Sequence, residues 1–373
     1  MGVNRFFVKS PVDDVAVIDL KLNVGSINEE NPGIGNVLIP LWRSSRPYLE
    51  LEKMGVSISL EKSFDFLSVR IKTIYDRVNK AVKLMEEFLT NPNMEKLDDA
   101  IREARTWNQV SREDTATRAF SESIKLLFGN HPYSRHPMAY EYNFDLITRD
   151  TVAKALDRMK VLSMTVVARE DTVDINIPQG DYEAIKPVTY GSGTVDLKMS
   201  GKVQTTIAMA YPAPELTNLN ESFTTIILNT ILGGMGLVSR LYREVRVKRG
   251  LAYYAYSTYI PLGSSGILIA MAGVRRENVN TALGIMQETI NDLANTVGED
   301  EVEMAIRNRI GRLKVTGESP EGLASLYSLI PTYKLPSNYY ELYIKQIKEL
   351  RASDVLTKAR QIISNNHTTA IIG

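Results

Sequence analysis

The sequence predicts an α+β protein made of two homologous halves, each a largely antiparallel sheet packed against several helices. Three observations lead there. The halves match each other: "VNKAVKLMEE" from Val78 pairs with "VNTALGIMQE" from Val279, "AIR" at Ala100 with "AIR" at Ala305, and "TVAKALDRMKVLSMTVVA" from Thr151 with "DVLTKARQIISNNHTTAII" from Asp354. These pairs run in one order at nearly one offset, as a duplication requires. Strand patterns cluster early in each half and helical patterns late, which favours an α+β arrangement over a doubly wound parallel sheet. A chain of 373 residues also exceeds one ordinary domain and suits two.

The elements follow in order. The first half opens on a strand, "VAVIDLKLNV", and the second on "VQTTIAMAY". After the first strand a Pro-Gly turn leads into "IGNVLIPLWRSS", an apolar segment that begins like a helix. Further strands come next, "GVSISLEKSFDFLSVRI" in one half and "LAYYAYSTYI" with "GILIAMAGV" in the other. Long helices then close each half; Val78, Val82, Met85 and Leu89 recur at helical spacing. Each half ends on a short strand, "MTVVA" or "TTAII". The stretch "REDTVDINIPQGDYEAIKPVTYGSG" has the prolines and glycines of a connection. The predicted domains are residues 1–175 and 195–373, joined by a linker over 176–194.

Bulk properties narrow the function. Lys and Arg total 44 and so do Asp and Glu, so no net field draws the chain to nucleic acid or a membrane surface. Cysteine is absent, which excludes disulfides, thiol nucleophiles and cysteine-based metal sites. No apolar run approaches the ~18 residues of a membrane span, and the start lacks an apolar signal segment. The expectation is a cytoplasmic protein.

Three places carry side chains of chemical interest. His131 and His136 bracket "HPYSRH" between two helices, and His367 precedes the last strand. Prolines at 132 and 137 keep the first two off a regular helix face, so each reads as a loop histidine with a local hydrogen bond rather than a zinc ligand. "ILGGMGLVSRLY" is glycine-rich and opens a helix, with Gly233, Gly234 and Gly236, but lacks the lysine of a phosphate loop. It is either a mobile helix entry or a loop that touches substrate. The helix after it carries Arg240, Arg243, Arg246, Lys248 and Arg249, read as a solvated, partly functional face. In "VRVKRGLAYYAYSTYI" Arg246 falls in the last helical turn and Gly250 at the natural stop. The strand that follows alternates, with Tyr253, Ala255 and Ser257 on one face. Arg246 and Tyr253 thus stand on the two arms of a helix–strand joint, able to grip one carbonyl oxygen together. Spacing alone fits a surface arginine and a packed tyrosine equally well, and on spacing alone that plainer reading leads.

"LGGMGLVSRLYREVRVKRGLAYYAYS", "ESPEGLASL" and "LRASDVLTKARQII", with "VGSINEENPGIG", "TNPNMEKLDDAIREA" and "FGNHPYSRH" in the first half, resemble the pitrilysin and mitochondrial processing peptidase family of zinc peptidases. The resemblance runs over nearly the whole chain. It implies a helix bearing H-x-x-E-H in the first half, whose two histidines bind zinc and whose glutamate is the general base. Here those slots hold Asn36, Ile39 and Pro40. The third ligand, a later glutamate, has no clear counterpart near Trp107 and Asn108; Glu103 and Glu113 lie close but out of step. No metal is expected in this chain. The resemblance also implies that an arginine and a tyrosine seven positions apart hold the substrate carbonyl at a zinc site, and Arg246 and Tyr253 keep that spacing.

The expectation is therefore a metal-free subunit of a heterodimeric zinc endopeptidase, inactive alone. It supplies Arg246 and Tyr253 to a homologous partner that carries H-x-x-E-H and the zinc. Gly233, Gly234 and Gly236 handle an unstructured peptide that adds as a strand to a sheet edge. No nucleic acid or membrane is expected as a partner, and a homodimer of the isolated chain is left open. The alternatives are a scaffolding homologue or a peptide-binding module without proteolysis.

Overall fold

Among the described residues, alternating apolar residues and short turns give ten strands in two five-stranded sheets of identical plan. A computed structural model describes residues 4–373. In the first sheet β1 (Arg5–Lys9), β2 (Val15–Leu22), β3 (Ser57–Lys62), β4 (Leu67–Ile74) and β5 (Val161–Ala168) lie in the order β1-β5-β2-β4-β3. In the second, β6 (Gly193–Leu197), β7 (Gln204–Ala213), β8 (Ala252–Pro261), β9 (Gly266–Arg275) and β10 (Thr368–Ile372) lie in the order β6-β10-β7-β9-β8. The position-by-position correspondence is complete. Each outer strand β1 and β6 pairs in parallel with the last strand of its half, and all other pairs are antiparallel. This is the duplicated α+β architecture read from the repeat.

The compact units differ from the two contiguous halves. One unit comprises residues 1–110, 140–183 and 313–337; the other comprises 111–139, 184–312 and 338–373. Each half thus contributes a helical segment to the unit built on the other half's sheet. The reason lies in the strands. All eight residues of β5 are buried, so that sheet needs cover on both faces. One face packs Ile18, Leu20 and Leu22 against the helices of the first half, with Val37, Leu41, Trp42 and Met85 in the same core. The other face packs Val17 and Val167 against Ala324 of helix Pro320–Tyr327. Ser163 and Thr332 share a 2.6 Å hydrogen bond, and Tyr333 donates to the buried Asp65 at 2.6 Å, seating the next helical turn. In the second unit helix Thr115–Phe128 plays the same part: Thr206 donates to Thr115 at 2.9 Å and Thr368 to the Ser123 carbonyl at 2.8 Å. The connection read as residues 176–194 runs without helix or strand until β6 begins at Gly193, and the units divide within it, after Glu183. Among the described residues no helix is long and apolar enough to cross a membrane.

Candidate functional site

The second unit builds its candidate site on edge strand β8 and the helical segment before it. Arg240 opens that segment and is buried. Its guanidinium donates through Nε to Glu301 Oε1 at 2.9 Å and through Nη2 to Glu301 Oε2 at 2.5 Å, a two-pronged pair. It also reaches Asp292 and the Thr296 hydroxyl at 3.2 Å and the Thr296 carbonyl at 2.9 Å. Burial alone would raise the Glu301 carboxyl; the hydrogen bonds and charge of Arg240 outweigh it and hold the group below its ordinary value. The segment is thereby pinned at its start.

At its end the segment widens to a π turn over Tyr242–Val247. Gly250 stops it at φ +63°, a conformation open to glycine, with its N–H donating to the Arg246 carbonyl at 2.9 Å. The Leu251 N–H goes to the Val245 carbonyl at 3.1 Å. The chain then enters β8 through a bulge: Ala252 faces Val274 and Tyr254 faces Gly273, so Tyr253 has no partner residue on β9. This corrects the simple alternation. Ala255, Ser257 and Tyr259 are buried on one face, but Ala252, not Tyr253, joins them. Tyr253 is turned out and is 79% exposed. Arg246 is exposed as well, with its guanidinium 4.9 Å from the centre of the Tyr242 ring. Among the described residues no hydrogen bond joins Arg246 to Tyr253. Both present free donors from a fixed backbone.

Two more basic side chains of the segment are engaged. Lys248 and Arg249 both pair with Glu244, at 2.7 and 2.9 Å. The Lys248 hydrogen bond is the main cause of a lowered Glu244 carboxyl. Three of the five cations in the segment are thus paired within the unit, and Arg243 and Arg246 remain at the surface.

The glycines have different parts. Gly233 is buried in a π turn over Thr230–Gly234, which continues helix Leu219–Asn229 rather than opening one. A Cβ there would stand 2.0 Å from the backbone nitrogen of Ser257 on β8. Gly233 therefore sets how closely the helix approaches the edge strand, and Ser257 fixes that approach by donating to Asn229 Oδ1 at 2.7 Å. Gly234 lies against Asn229 with moderate clearance, and Gly236 adopts φ +65° in open space. Gly233→Ala is expected to cost about 2 kcal/mol by overpacking against backbone that cannot yield; chemical denaturation measures it, and Gly236→Ala makes a comparison in which only backbone strain applies.

In the first unit the metal-motif slots lie on helix Ile34–Arg43. Pro40 is buried inside the helix, Ile39 packs against the core, and Asn36 accepts a 2.7 Å hydrogen bond from Lys62 Nζ. In the region of the third ligand Asn108 faces inward and donates to the Tyr140 carbonyl at 3.0 Å, while Glu103 and Trp107 face solvent. An amide, an isoleucine and a proline are not a zinc donor set, so the residues do not fit the metal. Lys62 and Tyr142 beside Asn36 were missed by sequence reasoning. A signal existed: Ile58, Leu60 and Lys62 share one parity of β3, which points a lysine to the core side.

The histidines serve the backbone. His131 Nδ1 accepts from the Tyr133 N–H at 3.2 Å, and His136 Nδ1 accepts from those of Met138 and Ala139 at 3.2 and 3.1 Å. His367 stacks on Tyr211 at 4.9 Å, and burial lowers its imidazole pKa.

The profile of the family described as peptidase M16 inactive domain matches residues 154–309, which include Arg246 and Tyr253. That segment, under half of the chain, is similar to the family's inactive domain. Among the chain's relatives is an uncharacterized zinc protease of Rickettsia bellii, 27% identical over 213 residues, a match covering 56% of this chain and 50% of that protein. The chain thus spans about half the length of the first curated relatives it matches. The fold recurs in the crystal structure of a peptidase M16 inactive domain from Pseudomonas fluorescens, with a TM-score of 0.88 at 19% identity, covering 100% of this chain and 95% of that one. A protease from Helicobacter pylori gives 0.83 at 18%, covering 98% and 96%.

Proposed function

We propose that this chain is the metal-free member of a two-chain zinc endopeptidase. The observation that carries the reading is a contrast. The metal-motif slots are filled by residues that cannot ligate, whereas Arg246 and Tyr253 are held outward by an anchored helix, a glycine stop and a strand bulge. Such framing around two exposed donors has no use in packing. In this reading a homologous partner bears H-x-x-E-H and the metal, and the two chains close around an extended, unstructured peptide. The guanidinium of Arg246 and the phenol O–H of Tyr253 donate to the scissile carbonyl oxygen and bind it more tightly as it gains charge. Gly233, Gly234 and Gly236 border the peptide's path, and β8, the outermost strand of its sheet, offers backbone groups for strand addition.

The test is reconstitution. The purified chain is expected to cleave no peptide, with or without added zinc. Mixed with a homologue that carries H-x-x-E-H, it gives chelator-sensitive cleavage that neither chain gives alone. Cleavage by this chain alone, or a partner equally active without it, overturns the reading and favours a scaffolding role.

A further inference from the structure

The first unit contains a buried cation with a receptor built around it. Lys62 Nζ lies 2.6 Å from Glu29 Oε1, and neither side chain is exposed to solvent. The ammonium also donates to Asn36 Oδ1 at 2.7 Å and to the Tyr142 hydroxyl at 3.3 Å. It sits 4.6 Å from the centre of the Tyr142 ring, within cation–π range. Glu29 is itself fixed, since its two oxygens accept the N–H groups of Gly33 and Gly35 at 2.8 Å each. Both glycines make room. A Cβ on Gly35 would meet Glu29 Oε1 at 3.0 Å and Lys62 Cδ at 3.2 Å, and one on Gly33 would meet the Tyr142 ring at 3.0 Å. Gly33 also stands at φ +100°, so the turn is shaped for this packing.

A lone ammonium in a buried site is very unfavourable, and it persists only where its charge and its N–H groups are met. Here they are met by a carboxylate, an amide oxygen, a phenol oxygen and a ring face. Asn36 occupies the slot of the family's first zinc ligand, so the ammonium stands next to where a metal would be ligated. A second cation at Asn36 would face both this charge and a carboxylate already saturated with donors.

We propose that the Lys62 ammonium is the resident cation of this site, supplied by the chain in place of a metal, and that the pocket is a receptor for a primary ammonium. The residues named all belong to the first unit, and none is part of the proposed peptide grip, so the proposal goes beyond the two-chain reading.

Thermal unfolding of the isolated protein tests it. For the native chain the midpoint is expected to be unchanged by chelator or by zinc, with no zinc retained after dialysis; one zinc per chain, or a midpoint lowered by chelator, overturns the proposal. Lys62→Ala is expected to lower the midpoint by about 5–10 °C, because Glu29 is left buried without its counter-charge. Millimolar n-propylammonium, which replaces the missing atoms, then raises the variant's midpoint and leaves the native protein's alone. Equal rescue by n-propanol, or rescue by zinc alone, overturns it. If the variant does not fold, the nitrogen-15 spectrum of the native protein decides: a lysine ammonium resonance protected from exchange is expected, and its absence overturns the assignment.

Discussion

In a complex reconstituted with a metal-bearing partner, Arg246→Ala is expected to lower peptide turnover by about 100-fold or more, and Tyr253→Phe by more than tenfold, with assembly unchanged by size-exclusion chromatography. The magnitude follows from the general worth of one oxyanion donor, ~10²–10³ in kcat. Both residues are exposed and lie at the surface of the second unit, so neither substitution removes core packing. The loss should fall on kcat rather than KM, because these hydrogen bonds strengthen only as charge develops on the carbonyl oxygen. Tyr253→Phe keeps the ring and removes only the O–H, which separates donation from contact. Turnover unchanged in both variants would reject the assigned roles while leaving the likeness to the family intact. A rise in KM alone would make the pair a ground-state peptide grip.

Much of this was legible in the chain, and what was not has physical causes. The duplication and sheet content could be read because repeated spacings and alternation are local signals, and the corresponding strands β5 and β10 do end each half. The exchange of helical segments could not be read. Helix Thr115–Phe128 shows which of its faces is apolar but not which sheet receives it. Likewise the joint between Gly250 and β8 was correct, yet strict alternation put Tyr253 beside Ala255; one extra residue in the bulge reverses that parity. The donor-free set at 36, 39 and 40 was plain from residue types. The cation beside it was not, because Lys62 is 26 positions from Asn36 in sequence and meets it only when β3 packs beside the helix. Arg240 was counted as part of a solvated basic face, whereas its partners Asp292, Thr296 and Glu301 come from two helices and the connection between them, 50 or more residues later.

Arg240→Ala is therefore expected to be costly both to stability and to the site. Its side chain is buried, and its removal leaves the half-buried Glu301 carboxylate without the two-pronged pair that stabilises it. Breaking such a pair by deleting one partner costs about 3 kcal/mol, at the low end of the buried range because Glu301 retains some solvent contact. Arg240→Lys restores charge but not the fork, so it recovers only part of the loss. The pH dependence separates this from lost packing. The Glu301 carboxyl is held below its ordinary value of 4.5 in the folded protein, so its contribution is complete above that pH and disappears as pH falls through the lowered value. The stability gap between native protein and Arg240→Ala should consequently narrow below pH 4.5 in urea titrations, whereas a cavity effect would persist unchanged. Function should follow the anchor. Arg246 lies six residues along the same segment, and a segment freed at its start no longer holds that guanidinium against the fixed bulge at Tyr253. In the reconstituted complex, Arg240→Ala should lower kcat even under conditions where the variant is fully folded; a variant that is destabilised yet turns over normally would limit Arg240 to holding the helices together.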